Sequence, residues 1–448
     1  MSSLDGSRPR THQRRSVLGT LAALGLTAST STATTDDGTT DDGTTTDDTS
    51  TTPSTYTYPA VYQYYHTDWT TITDDLAAIA DAGYGYVQVP PAQQSALTRA
   101  DQNDDLHPPL GYQPVDHRSF DSAFGTEDEY ATMVEEAHAQ DLGVIADAVM
   151  NHMAADRGHD FPAFSYQDFH HAGPIDYDDP DSVENGDLLG LPDLDQGSEY
   201  VRTQLRNYVE KYATIGDTGI DGLRYDAAKH MPEWFFERYA NDWADDHDLL
   251  RFGEVLHGAK PVNHAYATTG MSVMDYPLYF KMQEDAFRPN GDLRALDYAT
   301  VHDDPTTLTF VSNHDTDPPE YEKLAHAYIL TQPGYPRVYN RRVDVDDDDV
   351  QTLLWIRNNL ARGPAITRHV SQDTLVFERH HSLLVGLNTA TTHRTERVQT
   401  SWTNQHLHDH TDHRTPITTD DDGHTELTIP PRTWVCYARR DPYSHVGH

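Results

Sequence analysis

Ten consecutive residues carry the densest chemistry in this chain. Asp221-Gly222-Leu223-Arg224-Tyr225-Asp226-Ala227-Ala228-Lys229-His230 combines carboxylates, cations and an imidazole behind the apolar lead-in Thr218-Gly219-Ile220. The lead-in reads as the start of a short buried strand. Alternate side chains of a strand share a face, so Arg224 and Asp226 point one way and Tyr225 the other, and the guanidinium is expected to hold the carboxyl ionised. An ionised carboxylate at a strand end has the form of a nucleophile. Lys229 and His230 fall in the turn before the helix that Pro232 opens, within reach of a ligand above the strand ends. A surface ion-pair cluster would have the same composition, and the rest of the chain decides against it.

Positioning these groups requires elements. Strand-like runs occur at Val61 to Tyr65, Tyr84 to Pro90, Gly143 to Val149, Ile220 to Tyr225, Leu249 to Val255, Met271 to Met274, Thr307 to Val311 and Tyr335 to Val338. Helical periods fit between them: Ile72, Leu76 and Ile79 after the first, and Tyr130, Met133, Val134 and Ala137 behind a Thr126/Glu129 capping box. Eight strands alternating with helices predict an α/β fold, a (β/α)8 TIM barrel of parallel strands. Residues 153–197, rich in Asp, Gly, Pro and His, are too long for an ordinary barrel loop and predict a small domain B inserted after the third strand, before a helix capped by Ser198. Beyond the last barrel helix, near 350–361, short β runs (Thr374 to Glu378, Leu383 to Asn388, Glu426 to Ile429) predict an antiparallel β-sandwich. The expected organisation is a leader at 1–33, a spacer at 34–55, the barrel at 56–152 and 198–362, domain B at 153–197 and the C-terminal domain at 363–448.

The C-terminal ends of barrel strands face the active site, so several strands deliver polar groups to one rim: Asp147, Asn151 and His152; Arg224 and Asp226; Glu254; Asn313, His314 and Asp315. Carboxylates gathered at one mouth suit glycoside hydrolysis, which needs a nucleophile, a proton donor and charge near an oxocarbenium-like transition state. The apolar approach to Glu254 through Leu250, Phe252 and Gly253 is expected to raise its pKa toward that of a general acid.

The chain has 32 basic and 72 acidic residues, a formal charge of −40. Nucleic acid and anionic membrane are thereby disfavoured as partners. Only five of the 32 basic residues are lysines, leaving 27 arginines, and an acidic, lysine-poor composition resembles that of proteins from halophilic organisms. The single cysteine, Cys436, excludes an internal disulfide and reads as a core residue near Trp434. Arg14-Arg15 ahead of an apolar run to Leu26 and small residues to Ala33 has the layout of a twin-arginine signal, which predicts secretion without a permanent membrane anchor. The Thr/Asp/Gly-rich residues 34–55 are expected to be a disordered spacer.

Four ordered stretches resemble the signature regions of the α-amylase family: Asp147-Ala148-Val149-Met150-Asn151-His152, Gly222 to His230, Gly253-Glu254-Val255-Leu256 and Phe310-Val311-Ser312-Asn313-His314-Asp315. Leu191-Pro192-Asp193-Leu194-Asp195 is similar to the stretch that ends that family's domain B, and Gly111-Tyr112-Gln113-Pro114 and Met274-Asp275-Tyr276-Pro277-Leu278 match weaker features. The resemblance implies Asp226 as nucleophile, Glu254 as general acid/base and Asp315 as transition-state stabiliser. It implies sugar subsites lined by Tyr112, His152, Arg224, Lys229, His230 and His314. It also implies a calcium ion held by Asn151, Asp193 and the carbonyl of His230, hard oxygen ligands suited to that ion. The implied activity is retaining, endo-acting cleavage of internal α-1,4 bonds in starch and related α-glucans by a monomer, and the Lys229-His230 pair argues against debranching. The alternatives are an α-glucan transglycosylase, such as a cyclodextrin-forming enzyme, which usually carries extra C-terminal domains, or an inactive sugar-binding relative. A metallohydrolase built on the 27 histidines lacks a closely spaced pair on a helix. Gln88 and Asn340 depart from the family pattern, where Trp and Gly are usual.

Overall fold

The computed structural model describes residues 58–104, 107–297 and 307–440. The signal expected at 1–33 and the spacer at 34–55 lie outside the described residues. Eight strands, β1 (Val61–Gln63), β2 (Tyr86–Val89), β3 (Gly143–Ala148), β4 (Gly222–Tyr225), β5 (Leu250–Gly253), β6 (Ser272–Val273), β7 (Leu308–Phe310) and β8 (Tyr335–Tyr339), form one sheet in the order β6-β5-β4-β3-β2-β1-β8-β7. Every pairing is parallel. A parallel bridge between Met274 and Leu308 joins the two outer strands, so all eight expected strands are present and the sheet closes on itself. These strands are buried nearly throughout, the pattern of a sheet covered on both faces.

The helices supply that cover. Trp69–Ala82 buries Trp69, Ile72, Leu76 and Ile79 and ends at Gly83, whose φ of 96° is left-handed and favours glycine. Glu127–Ala139 starts at the expected Thr126/Glu129 capping box, and Ser198 caps Glu199–Ala213. The last barrel helix, Asp348–Asn359, carries the fully buried Arg357, which donates to the carbonyl oxygens of Tyr58, Leu330, Gln332 and Gly334. One guanidinium therefore ties that helix to the chain entering β1 and β8.

The excursion between β3 and Glu199–Ala213 contains the short helix Pro180–Asn185; a bridge from His152 to Asp193 joins its two ends, and one from Phe169 to Leu194 lies within it. C-terminal to the barrel lie β9 (Ala365–Val370), β10 (Thr374–Arg379), β11 (Leu383–Asn388), β12 (Arg394–Gln399), β13 (His406–Asp409), β14 (Ile417–Thr418), β15 (His424–Ile429) and β16 (Thr433–Ala438). They form an antiparallel sheet, β9-β10-β11-β16-β13-β14, and the pair β12-β15. Val376, Leu384, Leu427, Ile429, Val435 and Tyr437 bury one another between the two layers. At Gly386 the layers come so close that a Cβ would lie 2.7 Å from the Ile429 side chain. Cys436 is a free, buried thiol in the apolar cluster that also holds Trp434.

Candidate active site

Strand register brings the signature residues together. Asp147 of β3 pairs with Arg224 of β4, and Tyr225 with Gly253 of β5, so Asp226 and Glu254 are each one step past a paired position. Backbone bonds continue the ladders there: Asp226 N–H donates to Ala148 at 3.0 Å and Glu254 N–H to Tyr225 at 3.0 Å. Ala227 then turns the chain through the left-handed region at φ 49°, a strained conformation for a non-glycine residue. The turn Ala228–His230 that follows lifts Lys229 and His230 over the rim.

Arg224 is the hub. It is 1% exposed, with Nη1 at 2.6 Å from Asp147 Oδ1 and 2.6 Å from Asp226 Oδ1, and Nη2 at 2.5 Å from Glu254 Oε1. Tyr112 covers this cluster, its hydroxyl donating to Asp147 Oδ2 at 2.7 Å. Glu254 receives two further donors, Ala227 N–H at 3.1 Å and the Tyr276 hydroxyl at 3.0 Å. Asn313 links Tyr276 to the last carboxylate: its Nδ2 donates to the Tyr276 oxygen at 3.3 Å and its Oδ1 accepts from Asp315 N–H at 2.8 Å. His314 Nε2 lies 3.2 Å from Asp315 Oδ2.

The electrostatics correct two expectations. Glu254, expected to have a raised pKa, is held below the usual range: burial pushes it up, but Arg224, the Ala227 N–H and the Tyr276 hydroxyl outweigh that. Asp226, expected to be held ionised, is raised well above its ordinary value by burial, with the charges of Glu254, Asp147 and Asp315 adding to the shift against Arg224. The apolar approach to Glu254 shows in sequence, but the donors that the turn and Tyr276 bring to it do not. Asp315 keeps about a third of its side chain open, yet burial and Glu254 push it to about 7. Asp147 is raised by burial. The resting cluster therefore retains a proton near neutral pH, because four carboxyls face one tightly bound guanidinium.

His152 and His230 are buried and neutral, burial lowering each to about 4. His152 Nε2 is bonded to the Tyr112 carbonyl at 3.0 Å and His230 Nδ1 to the Val183 carbonyl at 2.9 Å, the latter docking domain B onto the rim. Lys229 Nζ sits 5.4 Å over the ring of Tyr177, an exposed domain B residue. Every expected catalytic and subsite residue thus reaches the strand-end face. Tyr276 stands in one of the weaker matching stretches without an assigned role, and Gln63 and Arg337 lie in none of them. Arg337 is buried in β8 and donates to Gln88 Oε1 at 2.8 Å, so Gln88, the departure from the family's Trp, serves as an acceptor inside the barrel.

Two of the three implied calcium ligands, Asn151 and Asp193, meet a test of fit. Asn151 Oδ1 and Asp193 Oδ1 are both buried without a hydrogen-bond partner, and burial drives Asp193 up to about 7. Two orphaned hard oxygens on segments joined by the His152–Asp193 bridge have the chemistry of a calcium site.

Buried carboxylates around an arginine at the C-terminal mouth of a (β/α)8 barrel define a glycoside hydrolase architecture. Residues 34–282 match the description "Alpha amylase, catalytic domain" and residues 383–438 match "Alpha-amylase C-terminal", and the chain belongs to the α-amylase family. An alpha-amylase from Aeromonas hydrophila is 40% identical over 163 residues, 33% of this chain and 34% of that protein. The structure of the alpha-amylase from Geobacillus thermoleovorans complexed with acarbose superposes with a TM-score of 0.74 at 24% identity, covering 86% of this chain and 99% of that one. CldA, described as the first cyclomaltodextrin glucanotransferase with a three-domain ABC distribution, superposes with a TM-score of 0.73 at 22% identity, covering 86% and 99%. The chain spans 34%, 46% and 21% of the lengths of the first three curated relatives.

Proposed function

We propose that this protein is a retaining, endo-acting α-amylase that hydrolyses internal α-1,4-glucosidic bonds of starch. The observation that carries the reading is the grip of one buried guanidinium on both Asp226 and Glu254. Carboxyls on neighbouring nitrogens of one guanidinium favour the close spacing of retaining enzymes, about 5 to 5.5 Å, over the wider gap that inverting enzymes leave for water. The Asp226 carboxylate attacks the anomeric carbon as the glycosidic C–O bond breaks, and Glu254 gives its proton to the departing oxygen. Sugar binding displaces water and shifts the proton shared by the resting cluster onto Glu254 as Asp226 turns to the anomeric carbon. Water, deprotonated by Glu254, then attacks the same carbon and releases Asp226. Asp315 faces the developing positive charge, while Tyr112, His152, Arg224, Lys229, His230 and His314 bind hydroxyls along the cleft.

Asn151, Asp193 and the His230 carbonyl would hold calcium, which when bound pins domain B to the barrel. The charge of −40 supports a haloarchaeal-type, salt-adapted enzyme, and the Arg14-Arg15 segment supports export by the twin-arginine route to act outside the cell as a monomer. Transglycosylation is the second reading, favoured by the likeness to CldA. The time course of products from soluble starch tests the proposal: linear maltooligosaccharides whose average length falls with time are expected, and cyclic products would establish the alternative.

A further inference from the structure

Gln63 ends β1, is 1% exposed, and takes no part in the steps above. Its Nε2 lies 3.2 Å from His314 Nδ1, while the other ring nitrogen, Nε2, lies 3.2 Å from Asp315 Oδ2. Tyr65 fixes the plane of that imidazole, stacking on it at 4.6 Å and 12°, and stacks on His66 as well, at 3.9 Å and 13°. The groups facing His314 are Gln63, Tyr65, Tyr112 and Asp315, with the charges of Arg224 and Arg337 acting on it and the titratable His66 nearby, its Nε2 accepting from Leu110 N–H. Burial first, then the Arg224 and Arg337 guanidiniums, push its pKa well below the ordinary value, so the ring is neutral and carries one N–H.

Which nitrogen holds that proton is decided by the partners. Burial and Glu254 push Asp315 to about 7; above that pH it is ionised and only accepts, so Nε2 must donate to it. Nδ1 is then an acceptor, and only a donor can satisfy it. A carboxamide supplies one; the reversed amide would place Oε1 against Nδ1, force the proton there and leave the Nε2 lone pair against the carboxylate.

We propose that Gln63 is a positioning residue: its amide fixes His314 as the Nε2–H tautomer, and that tautomer orients Asp315 toward the sugar carbon that becomes positively charged. Gln63 itself touches no substrate. The role assigned to Asp315 rests on the proposed function, but the tautomer does not.

The test is nitrogen-15 NMR of the full chain with labelled histidine, the His314 signals being identified by their loss in His314→Gln, together with starch kinetics. Above about pH 8, where Asp315 is ionised, the wild type should show a neutral ring protonated on Nε2. Gln63→Glu offers Nδ1 an acceptor and should give a doubly protonated His314 ring with an altered pH profile of kcat/KM. Gln63→Leu should mix the tautomers and lower kcat about tenfold, the scale of one lost hydrogen bond, with KM nearly unchanged. A wild-type ring protonated on Nδ1, or a Gln63→Glu ring still neutral and protonated on Nε2, overturns the proposal. So does wild-type kcat in a folded Gln63→Leu. If Gln63→Leu fails to fold, the wild-type and Gln63→Glu spectra still decide. An Nε2–H ring in a protein that does not cleave starch would defeat the proposed function and leave the tautomer assignment standing.

Discussion

Replacing Arg224 by Met removes the one group among the described residues that contacts Asp147, Asp226 and Glu254 together. Breaking a buried pair by deleting one partner costs about 3 to 5 kcal/mol. The pH dependence of that cost is the diagnostic part. In the wild type Glu254 is held below its ordinary pKa, so it contributes stability that is present above the unfolded value and lost as pH falls. Without the guanidinium the same carboxyl sits above its unfolded pKa, and the native variant keeps a proton that the unfolded chain releases as pH rises. Each extra proton retained adds about 1.4 kcal/mol of deficit per pH unit, so the deficit should grow as pH rises from 5 to 7. Urea unfolding of both proteins at pH 5, 6 and 7, at one fixed salt concentration, measures it. A deficit that stays flat across that range would refute the hub account, because a purely steric loss has no proton linkage.

Chelation should lower the melting temperature of the wild type in constant high salt, and Asn151→Ala with Asp193→Ala should abolish the difference; equal midpoints with and without chelator would count against a bound calcium ion. Activity and circular dichroism should persist in molar salt and decline together on dialysis to 10 mM, where screening reaches about 30 Å rather than about 3 Å; full structure and activity at 10 mM would remove the halophilic reading. Burial lowers His117 to about 4. It therefore contributes about 3 kcal/mol that is present above pH 6.5 and lost as pH falls toward 4. His117→Gln should flatten the acid side of the stability curve, and an unchanged slope would show that His117 is not the titrating group.

Much of the fold and of the candidate site is legible in the sequence. The eight strands announced themselves because each is a short apolar run with a helical period behind it, and the Thr126 and Ser198 caps are local signals. Asp147, Arg224, Asp226 and Glu254 were legible as one cluster because strand ends in a barrel converge. What could not be read was the balance within the cluster. Besides Arg224, Glu254 is held ionised by Ala227 N–H and Tyr276, partners set by a left-handed turn and by a helix start more than twenty residues away. Gln63 lies 251 residues from His314 in sequence, and a lone polar residue ending a strand gives no hint of the ring it meets. Arg337 and Gln88 share the same obscurity, since only closure of the barrel sets β8 near β2.

The central claim is that Asp226 attacks the sugar while Glu254 serves as acid and base. Its most direct test is to incubate the protein with an activated fluorinated α-glucosyl fluoride, which forms a glycosyl ester faster than it is hydrolysed, and to map the modified peptide by mass spectrometry while NMR follows the anomer first released from maltooligosaccharide. The expected result is one glucosyl adduct on Asp226, absent in Asp226→Asn, with the α-anomer released first. An adduct on a different carboxylate, or no adduct together with initial release of the β-anomer, would contradict the account.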